Sequence, residues 1–108
     1  MTYTRNQIDE IEDMLENMIF ELESVICPEV LNDETIEWEF IYDDELEFYS
    51  KKGLFKNDFY LLKRKHKLFW ALDTDGAYEK TIEQCRKDCI AMAKELLKEI
   101  KKWADIHL

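Results

Sequence analysis

The sequence has very few of the residues that interrupt regular structure. It contains two glycines and one proline among 108 residues, and it has no serine-rich or glutamine-rich run and no internal repeat. Flexible linkers and low-complexity tails are rich in such residues, so their scarcity argues against both. Because 46% of the residues are hydrophobic, there is enough apolar material for one core. We predict one acidic domain over residues 1–108.

Long apolar runs and paired cysteines are also missing. No stretch approaches the roughly 20 apolar residues of a membrane span, and the first residues lead into an acidic segment, unlike a signal peptide. The three cysteines, Cys27, Cys85 and Cys89, are an odd number for a disulfide framework. We therefore expect free thiols, a reducing cytoplasm as the location, and no contact with a membrane.

Basic residues are nearly absent from the first half of the chain. Residues 1–49 carry 16 acids and one base, Arg5, whereas residues 50–108 carry 9 acids and 14 bases. The net charge of −10 thus combines a strongly acidic half with a mildly basic one. Direct nucleic-acid binding requires clustered Lys and Arg on the contact surface. We therefore expect no nucleic-acid ligand and favour a partner protein with a basic surface.

Both ends of the chain have the apolar periodicity of amphipathic helices. Thr4 and Gln7 have the spacing of a capping box, so we predict a helix that begins near Arg5 and ends before Pro28. Apolar residues recur there at steps of three and four. The same period after Gly76 predicts a second, longer helix that extends to the C-terminal region.

Between these helices, shorter apolar patterns suggest strands. In residues 37–42 the aromatic side chains Trp38, Phe40 and Tyr42 alternate with Glu37, Glu39 and Ile41. Leu46 and Phe48 continue that spacing beyond a loop at residues 43–45. The apolar runs 59–62 and 68–72 flank the basic residues 63–67 and predict a second hairpin. We therefore predict an α+β fold of order α-β-β-β-β-α, in which an antiparallel meander sheet carries the N- and C-terminal helices on one face.

No catalytic or metal-binding motif is present. Cys85 and Cys89 share one helical face, but zinc sites need a second matched pair of ligands, and these cysteines fall on the apolar stripe. We interpret them as buried core thiols. We expect no metal, no cofactor and no catalytic residue.

Acidic residues of the first half form the clearest candidate site. Acids three or four apart on a helix lie roughly 5–6 Å from one another, near the spacing of phosphates along a nucleic-acid strand. Such a surface can imitate nucleic acid, although a solvated surface that only serves solubility is the competing interpretation. The predicted partner-binding residues are Asp9, Asp13, Glu16, Glu37, Glu39, Tyr42, Asp43, Asp44, Glu45, Glu47 and Tyr49.

The predicted second hairpin would be apolar on both faces. Helices on one side of the sheet would leave Phe59, Leu61 and Phe69 uncovered on the other. An uncovered apolar face is typical of a protein interface, so these three residues are candidates for a homodimer contact.

These patterns favour a small non-enzymatic protein-binding module. We expect it to inhibit or neutralise a basic, macromolecule-binding protein, as an immunity protein, an antitoxin or a phage-encoded anti-defence protein does, with nucleic-acid mimicry as one mode. One alternative is a self-associating structural or adaptor domain that uses the apolar hairpin face. A second alternative is a carboxylate metal-dependent enzyme that uses the acidic hairpin.

Overall fold

The computed structural model describes residues 3–24, 42–74 and 76–108. Four α-helices follow one another in these residues: α1 (Arg5–Ser24), α2 (Asp43–Lys51), α3 (Lys56–Thr74) and α4 (Glu79–His107). The described part of the chain contains no strand. The predicted α+β fold, with its α-β-β-β-β-α order and meander sheet, is therefore wrong, and the described part of the chain is all-α.

The predicted first hairpin is wrong at its second strand. Leu46, which is fully buried, and Phe48, which is exposed, both belong to α2. The three acids at residues 43–45, interpreted from the sequence as a loop, occupy the first turn of this helix. Acids are favoured there because the helix dipole is positive at its N-terminus. The predicted first strand up to Ile41, including Glu37 and Glu39, lies outside the described residues.

The predicted second hairpin is one continuous helix, α3. The basic residues 63–67, interpreted as a hairpin tip, form its middle. Short apolar runs fit a strand and a buried helix equally well, and the helical period was hidden because one of the buried positions is a histidine. The buried positions Phe59, Leu62, His66 and Phe69 of α3 follow steps of three and four, and Trp70, also buried, is four positions after His66.

The two terminal helices are present, but they do not lie on a sheet. The capping box of α1 forms as its spacing predicted, because the Thr4 backbone N donates to Gln7 Oε1 at 2.9 Å and the Gln7 N donates to Thr4 Oγ1 at 3.2 Å. The helix accordingly begins at Arg5. The second terminal helix, α4, begins at Glu79 and extends about 44 Å at 1.5 Å per residue.

The four helices alternate in direction around a common core, in the manner of an up-down-up-down bundle. Side-chain pairs near both ends of each neighbouring helix pair establish these directions. Ion pairs Glu16–Lys101 and Glu23–Lys94 join α1 to α4, and Asp43–Lys67 and Glu47–Lys63 join α2 to α3. The ion pair Lys65–Asp88 and the neighbouring carboxyl groups of Asp58 and Glu99 join α3 to α4. The phenols of Tyr42, directly before α2, and of Tyr49, on α2, lie near Glu21 and Glu10 of α1. Helices α1 and α3 therefore occupy opposite corners.

An aromatic cluster closes each end of the core. At one end, the ring of Tyr3 packs edge-on against Trp103 with 5.9 Å between centroids, and its hydroxyl donates to the carbonyl oxygen of Leu54. At the other end, His66 lies between Tyr42 and Trp70, with ring centroids 6.1 and 6.2 Å away. The apolar residues between these clusters come from all four helices and form one continuous core.

Candidate functional site

The outer face of α1 carries the most regular row of acids in the described residues. Asp9, Asp13 and Glu16 are exposed and follow one another at steps of four and three, so they lie along one side of the helix. Glu16 forms an ion pair with Lys101, whose Nζ lies 3.3 Å from Glu16 Oε1. No base of the described residues forms an ion pair with Asp9 or Asp13.

The same row ends at an exposed aromatic residue, Phe20. It follows Glu16 by four positions, and 71% of its surface is accessible. Phe20 was not among the residues predicted from the sequence, although it falls outside the apolar stripe of α1 and on the same side as the acids. An aromatic residue outside the core-facing stripe of an otherwise regular helix was the signal available in the sequence.

The acids of α2 divide into paired and unpaired groups. Asp43 is half-buried, with Lys67 Nζ 3.2 Å from its Oδ1, and the Glu47 carboxylate is shared by Lys51 and Lys63. Asp44 and Glu45 are exposed, and no base of the described helices forms an ion pair with them. The available carboxylates of α2 are therefore at its N-terminal end.

Tyr42 and Tyr49, predicted from the sequence as partner-binding residues, face the neighbouring helices. Tyr42 is buried, and its phenol donates to the Glu21 carboxylate. Burial is the main cause that raises the pKa of Tyr42, and the Glu21 charge adds to it. The ring of Tyr49 stacks on Phe59 at 5.1 Å between centroids. These phenols therefore belong to the contacts of α2 with α1 and α3.

The acidic first half and the basic second half of the chain partly neutralise each other in the folded molecule. In the described residues, four ion pairs between helices join an acid of residues 1–49 to a base of residues 50–108: Glu16–Lys101, Glu23–Lys94, Asp43–Lys67 and Glu47–Lys63. The basic half is thus a partner of the acidic half. Acids at Asp9, Asp13, Asp44 and Glu45 remain outside this pairing.

The three residues predicted as a homodimer contact are not on one surface. Phe59 and Phe69 are fully buried in the core, whereas Leu61 is on the outside of α3 with 51% of its surface accessible. They were grouped because alternate residues of a strand share a face, and in a helix residues two apart do not. Leu61 belongs to a different surface, between α3 and α4.

Known proteins offer no guide to this site. No family model, curated protein or solved structure matches this chain.

Two thiols lie in the core of the described residues. Cys85 and Cys89 are free and buried, and desolvation, followed by the neighbouring Cys85, raises the pKa of Cys89 to about 12. A thiol with a raised pKa is a poor nucleophile and a poor metal ligand at neutral pH.

The described ranges contain no group of three or more His, Cys, Asp or Glu side chains that could hold a metal ion. No helix in these ranges is long and apolar enough to span a bilayer.

Proposed function

We propose that this chain is a small non-enzymatic module that binds a protein with a basic surface through the outer face of α1. The observation that carries the proposal is the exposed Phe20 at the end of a row of acids. The acids would speed the encounter with a basic partner through long-range attraction. The phenyl ring would then supply the desolvated anchor on which most of the affinity of such interfaces depends.

Two costs favour a binding role for this face over a purely solubilising one. Like charges at three- and four-residue spacing destabilise a helix by about 0.2–0.5 kcal/mol per pair, and Asp13 has such neighbours in Asp9 and Glu16. A surface that only maintains solubility intersperses both signs of charge and avoids exposed phenylalanine. The α1 face does neither. Both features are instead typical of a surface that is covered by a basic partner.

The partner class that fits this face is a basic, macromolecule-binding protein. The acids of α1 have a spacing of roughly 5–6 Å, near that of phosphates, so the module can occupy a surface built for nucleic acid. Inhibition would follow from that occupancy without catalysis, as for an immunity protein, an antitoxin or an anti-defence protein. We place the role in the cytoplasm, where free thiols such as Cys85 and Cys89 persist.

The proposal is tested by capturing the partner with the tagged chain from a lysate of its own source organism, at low and at high salt. We expect a basic protein that is retained at low salt and released at high salt. Binding kinetics with that protein then separate the two parts of the site. Asp13→Lys should mainly slow association, and Phe20→Ser should speed dissociation by about tenfold or more.

A matched control is available in Tyr78, an exposed aromatic residue that directly precedes α4 and has 87% of its surface accessible. Tyr78→Ser should leave both rate constants unchanged. If Asp13→Lys and Phe20→Ser bind the captured protein as the wild type does, the α1 face is not the binding site.

A further inference from the structure

The shortest of the four described helices lies against a buried histidine. Helix α2 has nine residues, and Leu46 is its one buried residue. Helices of fewer than about 12–15 residues are marginal on their own in water, so α2 is helical because of its packing. Directly before it, the ring of Tyr42 packs edge-on against the His66 imidazole of α3, with 6.1 Å between ring centroids. The N-terminal end of α2 therefore depends on the state of this imidazole.

The hydrogen bond of His66 is one that only the neutral ring can make. Its Nε2 accepts from Trp70 Nε1 at 3.1 Å, so the proton of the neutral ring is on Nδ1. Acid would add the second proton at Nε2, where the new N–H would face the indole N–H. The hydrogen bond would then be lost, and a positive charge would be left in a site that is 3% exposed. Burial is the larger cause that lowers the pKa of His66 to about 4, and Asp43 opposes it.

Two carboxyl groups act on the α2 side of His66. The Asp43 carboxylate attracts a positive imidazole, but Lys67 Nζ already lies 3.2 Å from its Oδ1 and shares its charge. Glu21 of α1 reaches this end of the bundle by accepting a hydrogen bond from the Tyr42 phenol. Burial raises the pKa of Glu21, so this carboxyl also titrates in acid. An experiment therefore has to separate Glu21 from His66.

The α4 side of His66 supplies thiols. The Sγ atom of Cys85 lies 3.8 Å from the carbonyl oxygen of Lys65, the residue before His66. Burial raises the pKa of both Cys85 and Cys89, so these thiols stay neutral in acid. The nearby carboxylate of Asp88 forms an ion pair with Lys65. The thiols therefore offer no compensation to a charged imidazole.

Helix α2 is also the described helix that is anchored least. Helices α1 and α4 each bury seven residues, compared with one in α2. An element that exposes less apolar surface when it opens has a lower cost of opening. Detachment of α2 would hydrate His66 and would expose Phe59, on which the Tyr49 ring stacks at 5.1 Å between centroids.

We infer that Tyr42 and α2 open as a separate unit in acid, because His66 binds a second proton readily only when they have moved away, while α1, α3 and α4 stay packed. The apolar surface beneath α2, which includes Phe59, would then be available to a partner in acid and covered at neutral pH. The row of acids on α1 is not part of this unit, so the inference does not rest on the proposed function.

Amide hydrogen exchange measured by NMR at pH 6.5 and at pH 4.5 tests this inference. Because the exposed ring of His66 binds a proton over this range and the buried ring does not, the opening of α2 should increase by about 40-fold. At both pH values the amides of α2 should be at least about tenfold less protected than those at the centres of α1 and α4. Equal protection in the three helices would overturn the inference, because α2 would then open only when the whole bundle unfolds.

Two variants identify the group that triggers the opening. His66→Gln retains an acceptor for Trp70 and takes up no proton in this range, so the opening of α2 should change by less than about threefold. Glu21→Gln is the matched control, since it removes the other titrating group near Tyr42, and it should keep the wild-type response. The reverse pattern would overturn the inference and make Glu21 the trigger.

A measurement on the wild type keeps the test decisive if His66→Gln does not fold. The ring signals of His66, followed by NMR through the same pH range, should titrate together with the amide signals of α2. Titration of the ring without any change in α2 would overturn the inference.

Discussion

His66 shows how one residue in the core can make the whole fold sensitive to acid. It is 3% exposed, and its Nε2 accepts a hydrogen bond from the Trp70 indole at 3.1 Å. An Nε2 that accepts leaves the proton of the neutral ring on Nδ1. Burial lowers the pKa of His66 from 6.5 to about 4, and the nearby Asp43 carboxylate opposes that shift only in part.

We predict that stability falls as the pH is lowered from 6.5 towards 4. In that window the unfolded chain protonates His66 and the folded chain does not, so the unfolded state binds more protons. The loss attributable to this residue approaches about 3 kcal/mol at the lower end. Urea unfolding of the wild type and of His66→Gln across this range measures it. The variant should have a lower stability at neutral pH and a shallower decline, and parallel curves would contradict the assignment to His66.

The two glycines provide a matched pair for testing backbone strain. Both have positive φ, +75° at Gly53 and +70° at Gly76. A Cβ at Gly53 would lie 2.9 Å from the Tyr3 hydroxyl, which is held by its bond to Leu54, whereas a Cβ at Gly76 would meet nothing within 4 Å. The two sites therefore differ in whether an added Cβ would clash with Tyr3.

We predict that Gly76→Ala costs about 1 kcal/mol, the price of a left-handed conformation for a residue with a side chain. Gly53→Ala should cost clearly more, at least about 2 kcal/mol, because the clash with Tyr3 adds to the same backbone term. Denaturant unfolding of both variants measures the difference. Equal losses would mean that Tyr3 moves aside without cost.

At the scale of the helices, the C-terminal end of α1 is held by a side chain of α4. Arg86 Nη1 donates to the Leu22 carbonyl oxygen at 2.8 Å, and Glu83 fixes the guanidinium with a two-point contact that includes a 3.0 Å bond to Nε. The last carbonyls of a helix have no partner within it, so this donor satisfies one of them. The same hydrogen bond joins the two longest helices.

We predict that Arg86→Ala destabilises the protein by about 1–2 kcal/mol, since a half-buried carbonyl loses a charged donor. Arg86→Lys should recover only part of this, because an ammonium group cannot contact Glu83 at two points and Leu22 together. Glu83→Gln serves as the control that retains the bond to Leu22. Thermal unfolding of the three variants distinguishes these contributions, and an unaffected Arg86→Ala would rule out the capping role.

The two helices that have a full apolar stripe could be predicted from the sequence, and the other two described helices could not. α1 repeats its apolar residues over five turns and has a capping box, so its start at Arg5 was predicted from local chemistry. α2 has only nine residues, with Leu46 as its one buried position, and too few residues to show a period. In α3 the buried His66 interrupts the apolar pattern. Burial of that histidine depends on Tyr42 and Trp70, which only tertiary packing brings to it.

At the scale of the whole molecule, the acids that contribute to the net charge fall into two groups: those that form ion pairs within the molecule and those that do not. The acids that the sequence marked as a single surface include members that the structure gives to internal pairs, such as Asp43 and Glu47. The acids of α1 could be predicted as one row from their spacing alone. The buried positions of Tyr42 and Phe59 could not be predicted in this way, and neither could the surface that Leu61 occupies between α3 and α4. Each of these depends on which helices are neighbours.

We predict that the acidic α1 face lowers stability, so that relieving it stabilises the chain. Asp13→Lys replaces repulsion from Asp9 and Glu16 by attraction and should raise the free energy of unfolding by about 0.5 kcal/mol or more at low salt. Glu16→Lys should gain less, since it also places a lysine beside Lys101. Chemical denaturation at low and high salt measures both, and salt should reduce the gain. A loss of stability in Asp13→Lys would show that this acid has a favourable partner.

The aromatic clusters at the two ends of the bundle give the molecule two separate optical reporters. Trp70 is in contact with His66 at one end, and Trp103 lies against His107 and Tyr3 at the other. Trp38 lies outside the described residues. Replacing it and one of the other two tryptophans by Phe would give single-tryptophan variants, each of which reports one end of the bundle by its fluorescence emission. Acid titration would then reveal whether the bundle opens from the end that contains the buried histidine or melts along its whole length at once.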